Sequence, residues 1–237
     1  MNQKTIKFLA LTSLFVFFSG RVWADRANDI IKKADEIRNP AESYEMMIEV
    51  QAEEETSEFQ VFLKGQDRTI VVTKAPSKDM GRNMLMLDRD FQAYVPNLKR
   101  SIRLSLSQKL SGQVSNGDIS RTRWYGDYVA KIETENTSEV QLLLEGKKDN
   151  LTYAWIRLWV EKKSGHPLRA EYLGLNGKTV LKNAYFENYK NLAGAQRPSL
   201  IRIEDKANKT SFIRIKSMEK KEYSDAFFSL KKMESLK

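Results

Sequence analysis

The chain has 237 residues, 40 Lys and Arg against 31 Asp and Glu, a net charge of +9, one His and no Cys. The lack of Cys excludes a disulfide framework and a thiol nucleophile, and a single His cannot build a His-rich zinc site. An apolar core alone must therefore hold the fold, and one domain of this length buries enough surface to do so.

Lys4 and Lys7 precede an apolar run over residues 8–18, and Val22-Trp23-Ala24 supplies small residues at the positions a signal peptidase reads. Residues 1–24 are expected to be a secretory signal peptide cleaved after Ala24, because the run is too short and wrongly flanked to span a membrane. No Cys follows the small residues, so a soluble, periplasmic mature domain over residues 25–237 is expected rather than a lipoprotein. Losing Lys4, Lys7 and Arg21 lowers the net charge from +9 to +6. A basic exported protein meets anionic membrane surface or acidic partners, and export argues against nucleic acid.

Residues 25–38 place Ala27, Ile30, Ile31, Ala34 and Ile37 at helical spacing, and Asn39-Pro40 closes the run. One apolar face opposite a charged one is the pattern of a helix lying on a sheet. From Glu42 the chain alternates with a period of two: Tyr44, Met46, Ile48 and Val50, then Phe59, Val61 and Leu63, then residues 69–73. Met84-Leu85-Met86-Leu87 and residues 91–95 flank a hairpin turn at Asp88-Arg89-Asp90, and Pro96-Asn97 turns the chain into an alternating run over residues 101–106. Seven further strand candidates lie between residues 128 and 219, and Asn176-Gly177 is the strongest hairpin signal among their turns, since a type I′ turn needs positive φ at both positions. No helical pattern intervenes. The expected fold is mainly β, one antiparallel sheet of about eleven or twelve strands, too many to stay flat without curling. Residues 152–162 are apolar on both parities, which fits either a plain sandwich core or a curved sheet covered on both faces. Residues 223–236 read as a short terminal helix or tail with Phe227, Phe228 and Leu230 tucked in.

Between residues 107 and 123 the periodicity breaks, in a segment carrying Gly112, Gly117 and several Ser. Irregular segments of that length inside a compact domain serve as lids or binding loops. The runs RNP (Arg38 to Pro40), MGRNMLML (80–87), AYVPNLKRSIRLS (93–105), QKLSGQVSNGDISR (108–121) and Asp127-Tyr128 resemble those of the outer-membrane lipoprotein-sorting protein family, the periplasmic LolA-like lipoprotein carriers. The resemblance covers nearly the whole mature chain, and SNGDISR is its most specific block. It implies an open half-barrel sheet with the N-terminal helix and a loop or helix lid on the concave side, around an apolar cavity for acyl chains.

Under that resemblance Met46, Ile48, Phe59, Val61, Met84, Met86, Tyr94 and Leu104 are the candidate cavity residues, since Met suits ligands of variable shape. Arg100, Arg103, Gln108, Asn116, Asp118 and Arg121 are the candidate lid residues meeting a lipid's polar head or the membrane surface. Leu110, Val114 and Ile119 would close over the cavity. From the residues themselves, Asp118 reads better as a cap on the adjoining turn. Neither a catalytic constellation nor a metal or cofactor site is marked. The expected function is periplasmic binding and carriage of lipid acyl chains or lipidated protein toward the outer membrane, as a monomer working with an inner-membrane transporter. The alternative is an envelope sensor or transporter adaptor that binds a protein partner with the same fold.

Overall fold

The computed structural model describes residues 19–40, 42–120, 123–148 and 151–236, so the apolar run of the expected signal peptide and Arg121 lie outside the described residues. Helix α1 (Ser19–Arg38) carries the expected apolar stripe, with Ala27, Ile31 and Ala34 fully buried and Ile30 and Ile37 half-buried. Its last turn is held by Arg197, whose guanidinium donates to the carbonyls of Glu36 and Ile37 at 2.8 and 2.6 Å. Those carbonyls have no partner within a helix, so a buried donor there satisfies them.

Alternation of apolar and polar side chains builds the strands β1 (Tyr44–Ala52), β2 (Glu55–Lys64), β3 (Arg68–Ala75), β4 (Met84–Leu87), β5 (Asp90–Val95) and β6 (Arg100–Arg103). A small hairpin follows, β7 (Lys109–Ser111) and β8 (Val114–Ser115), leading into one helical turn, α2 (Asn116–Ile119). The meander resumes with β9 (Tyr128–Glu135), β10 (Glu139–Gly146), β11 (Trp155–Glu161), β12 (Pro167–Leu173), β13 (Val180–Leu192), β14 (Ala195–Asp205) and β15 (Thr210–Lys220). Thirteen of these form one antiparallel sheet in the order β6-β5-β4-β3-β2-β1-β15-β14-β13-β12-β11-β10-β9, and it does not close, because β6 and β9 are both edges. Inward side chains from β4 and β5 near one edge and from β10 and β11 near the other meet in a single cluster with α1 and α2. The sheet must curl for that to happen. Arg89, in the turn between β4 and β5, reaches far enough to pair with Asp127 immediately before β9.

Two turns differ from expectation. Asn176-Gly177 sits in a six-residue loop, with only Gly177 at positive φ and the Asn176 side chain accepting from the amides of Lys178 and Thr179 at 3.1 and 3.0 Å. The two-residue turn with both central residues at positive φ is instead Ala193-Gly194. Between β11 and β12 and their neighbours the outer face is covered by long cationic side chains: Arg169 stacks 3.7 Å over Trp159, and Arg157 bridges Glu133 and Glu171 at 2.8 and 2.7 Å. The C-terminal segment covers the outer face elsewhere. Its helix α3 (Leu230–Ser235) and Phe228 pack with Phe62, Ile70, Val72 and Leu85, while Leu230 is turned to solvent.

Arg26 near the start of α1 forms a paired contact with Glu135 of β9, at 3.0 and 2.6 Å. The hydrogen bonds from Arg26 and then Lys162 pull the Glu135 carboxyl down to about 2. A depressed carboxylate stabilises the fold above its unfolded value and loses that contribution as pH falls, here from 4.5 toward about 2. Amide protection in α1, corrected for intrinsic exchange, is expected to weaken across that window. In Glu135→Gln the pH dependence should be reduced; equal dependence in both proteins would assign it elsewhere.

Candidate functional site

A cavity of about 300 Å³ lies between the concave face of β2 to β6 and the segment that follows β6. Its apolar wall is Phe59, Met84, Ala93, Ile102, Leu104 and Leu110, and its polar margin includes Asp79, Arg82, Gln108, Lys109 and Asn116. Pairing places Met84 opposite Ala93 and Ala93 opposite Ile102, so three adjacent strands present one small and two larger apolar side chains to the same space. That volume is at the lower end of the roughly 300–1,000 Å³ typical of ligand pockets.

The expected cavity residues divide. Phe59, Met84, Tyr94 and Leu104 border the cavity, although Tyr94 packs against the outer cluster because it alternates with inward-facing Ala93. Met46 and Ile48 border a separate space of about 60 Å³ beside Leu63 and Ile119, while Val61 and Met86 are filled core. Of the lid set, Gln108 and Asn116 border the cavity, Arg100 is exposed, and Arg103 pairs with Asp90 at 2.8 Å.

The SNGDIS stretch is an anchored plug, and the weakly held lid expected from its lost periodicity is not what the structure contains. Val114 and Ile119 are buried in the core cluster, Asn116 donates to the carbonyl of Ser105 at 2.9 Å, and Ser120 donates to the carbonyl of Asn116 at 2.6 Å. Asp118 caps α2 by accepting from the Ser115 amide at 2.7 Å. Its two oxygens also meet the Lys182 ammonium at 2.7 Å and the Tyr153 hydroxyl at 2.7 Å. Lys182 donates further to the carbonyl of Gln113 at 2.8 Å and to Ser115 at 3.1 Å. The Tyr153 and Tyr172 rings stack with centroids 3.9 Å apart beside this ammonium. Burial, then the Asp118 charge, pushes both phenols up, so Tyr153 stays a neutral donor to the carboxylate.

Asp118 is thus an internal tie to β13, which its capping chemistry foreshadowed, and not a headgroup contact. Lys182 and Tyr153 escaped the sequence reading. The signal available was a lysine sharing strand parity with Ala184 and Phe186, both buried. Gly117 has a spatial reason: a Cβ there would lie 2.0 Å from the Thr152 hydroxyl oxygen. Gly117→Ala is expected to lower stability by about 1–3 kcal/mol through overpacking, read as a shift in the urea midpoint at constant m-value. An unchanged midpoint would show that Thr152 yields freely.

His166 stacks on Tyr189 at 4.0 Å in the β11–β12 turn, and no group of acidic or His side chains able to hold a metal ion occurs among the described residues. Nor is any described helix long and apolar enough to cross a membrane. An open antiparallel half-barrel, plugged on its concave side beside a cavity with an apolar wall, defines the class of this protein. The crystal structure of a LolA superfamily protein from Nitrosomonas europaea is 34% identical, with a TM-score of 0.78 over 86% of this chain and 98% of that one. A DUF1329 family protein from Desulfovibrio piger (20% identity, TM-score 0.75, 89% and 99% covered) shares the fold. So does an outer membrane lipoprotein-sorting protein domain from Vibrio parahaemolyticus (17%, 0.71, 89% and 99%). A family model described as an uncharacterized protein matches residues 65–235, and no curated protein matches. The chain belongs to the LolA superfamily.

Proposed function

We propose that the protein is an exported carrier that holds an acyl chain of a lipid or lipidated protein in the cavity beneath residues 104–110, on its way from an inner-membrane transporter toward the outer membrane. The observation that carries this is the cavity itself: interiors pack to crystal-like density, and an unfilled space of about 300 Å³ with an apolar wall and a polar margin, opening between a plug and a sheet, suits a flexible amphiphile whose chain lies on the wall. Each methylene taken up contributes about 0.8 kcal/mol, which offsets withdrawal of the chain from a bilayer. The polar head then rests at the margin, where Arg82 and Lys109 stand. The name of the Vibrio parahaemolyticus relative supports the same reading. Working in the periplasm, with the signal peptide removed after Ala24, is part of this proposal.

The test is displacement of a fluorescent fatty acid from the processed protein, with mass spectrometry of lipids that co-purify from the envelope fraction. Saturable binding and an acyl lipid in the spectrum are expected. Absence of both would remove the carrier reading in favour of a protein-binding adaptor.

A further inference from the structure

Two short turns stand side by side at the edge of the cavity. One runs from Pro76 through the 3₁₀ turn Ser77–Asp79 to Asn83; the other is the 3₁₀ turn Pro96–Leu98 followed by Lys99. They are packed together, since a Cβ on Gly81 would sit 3.3 Å from the Pro96 ring. The first is fixed from below by buried Asn83, which accepts from the Thr73 amide and donates to the carbonyls of Met233 and Leu236; the second ends at Lys99 in a left-handed conformation at φ 47° and packs on the first. Asp79, Arg82, Tyr94 and Val95, which flank the turn tips, border the cavity. The tips themselves carry Met80, 47% exposed, and Leu98, 56% exposed.

Two cations at the pair stand outside any ion pair among the described residues. Of the acids there, Glu55 pairs with Lys78 at 2.7 Å and Asp79 with Arg82 at 3.0 Å, while Glu234 accepts from the Ser101 hydroxyl at 2.9 Å beside Arg100. Lys99 and Arg100 are exposed and form no ion pair among the described residues. Rigid apolar tips flanked by uncompensated cations are the complement of an anionic bilayer surface, where apolar side chains enter the interface and cations meet lipid phosphates.

We propose that Met80 and Leu98 form a membrane-docking edge that seats the mouth of the cavity on an anionic bilayer, with Lys99 and Arg100 against the headgroups. The purpose of this contact rests on the carrier reading; its evidence does not. Leu175, 91% exposed on the β12–β13 loop beside Lys178, is an apolar tip that borders no part of the cavity and serves as the internal control.

The experiment is co-sedimentation of the processed chain with phosphatidylglycerol-containing and pure phosphatidylcholine vesicles, beside fatty-acid displacement in solution. The wild type is expected to bind the anionic vesicles and to release them with added salt. Met80→Asp with Leu98→Asp, and separately Lys99→Glu with Arg100→Glu, should each lose about tenfold in vesicle affinity. Leu175→Asp should bind as the wild type does. Because all these positions are exposed, circular dichroism should report unchanged folding; as a second readout, Leu98→Trp should blue-shift on anionic vesicles and be quenched by brominated acyl chains. No vesicle binding by the wild type, equal binding to both vesicle types, or loss in Leu175→Asp in place of the Met80 and Leu98 pair would overturn the proposal. Vesicle binding lost in that pair, in a protein that takes up no fatty acid, would retain the docking edge and remove the carrier reading.

Discussion

Lys182→Met is expected to destabilise the protein by about 3–5 kcal/mol, the cost of leaving one member of a buried ion pair without its partner. The Lys182 and Asp118 side chains are only 9% and 6% exposed. Removing the ammonium strands the Asp118 carboxylate with the Ser115 amide and Tyr153 hydroxyl as its remaining donors, and leaves the Gln113 carbonyl without its donor. In a domain of this size the loss corresponds to a fall of about 6–20 °C in Tm. It should also be local, because Lys182 belongs to the sheet while Gln113, Ser115 and Asp118 belong to the plug. Hydrogen exchange should therefore accelerate over residues 113–120 more than over β14. In a double-mutant cycle, adding Asp118→Asn to Lys182→Met is expected to cost far less than the two single losses together. A cost below about 1 kcal/mol for Lys182→Met would show that water replaces the ammonium and that the plug is held by its apolar contacts alone.

Ala93→Phe is expected to abolish acyl binding, lowering fatty-acid affinity by at least about a hundredfold, while leaving Tm unchanged or raised. Ala93 is the small residue between Met84 and Ile102 on the cavity wall, and its Cβ faces the space a ligand would occupy. Ala93 belongs to the buried core cluster and also lines the cavity, so a phenyl ring there occupies the space a ligand would fill, and stability gains what binding loses. Core positions away from the cavity behave in the opposite sense: a ring introduced at fully buried Ala184, which lines neither space described above, should destabilise by overpacking. If Ala93→Phe binds fatty acid as well as the wild type, the ligand site is not this cavity.

Much of the fold is legible in residue order. The alternation in residues 44–63, the helical stripe of Ala27, Ile31 and Ala34, and the apolar runs at 84–87 and 91–95 flanking a hairpin turn at Asp88-Arg89-Asp90 each report a local preference that the tertiary structure keeps, the turn closing on Asp88 and Arg89 alone. Strand number alone required curvature. The site was less legible. The resemblance and the Met content nominated eight cavity residues together; Phe59, Met84 and Leu104 border the space of about 300 Å³, whereas Met86 and Val61 face inward where the concave side is already full. Whether an inward side chain meets a neighbour or a void depends on what lies across the barrel.

The sequence by itself determined that the chain forms one antiparallel meander with an amphipathic helix, because periodicity, turn residues and the absence of Cys act within a few residues of one another. Only the tertiary structure decided that residues 113–120 are a plug and not a loose lid. Asp118 and Lys182 are 64 positions apart. A buried lysine reads in sequence as a break in a strand's pattern until its partner is known, and burial is tolerable here only because the curled sheet brings a carboxylate, a hydroxyl and a carbonyl to one ammonium.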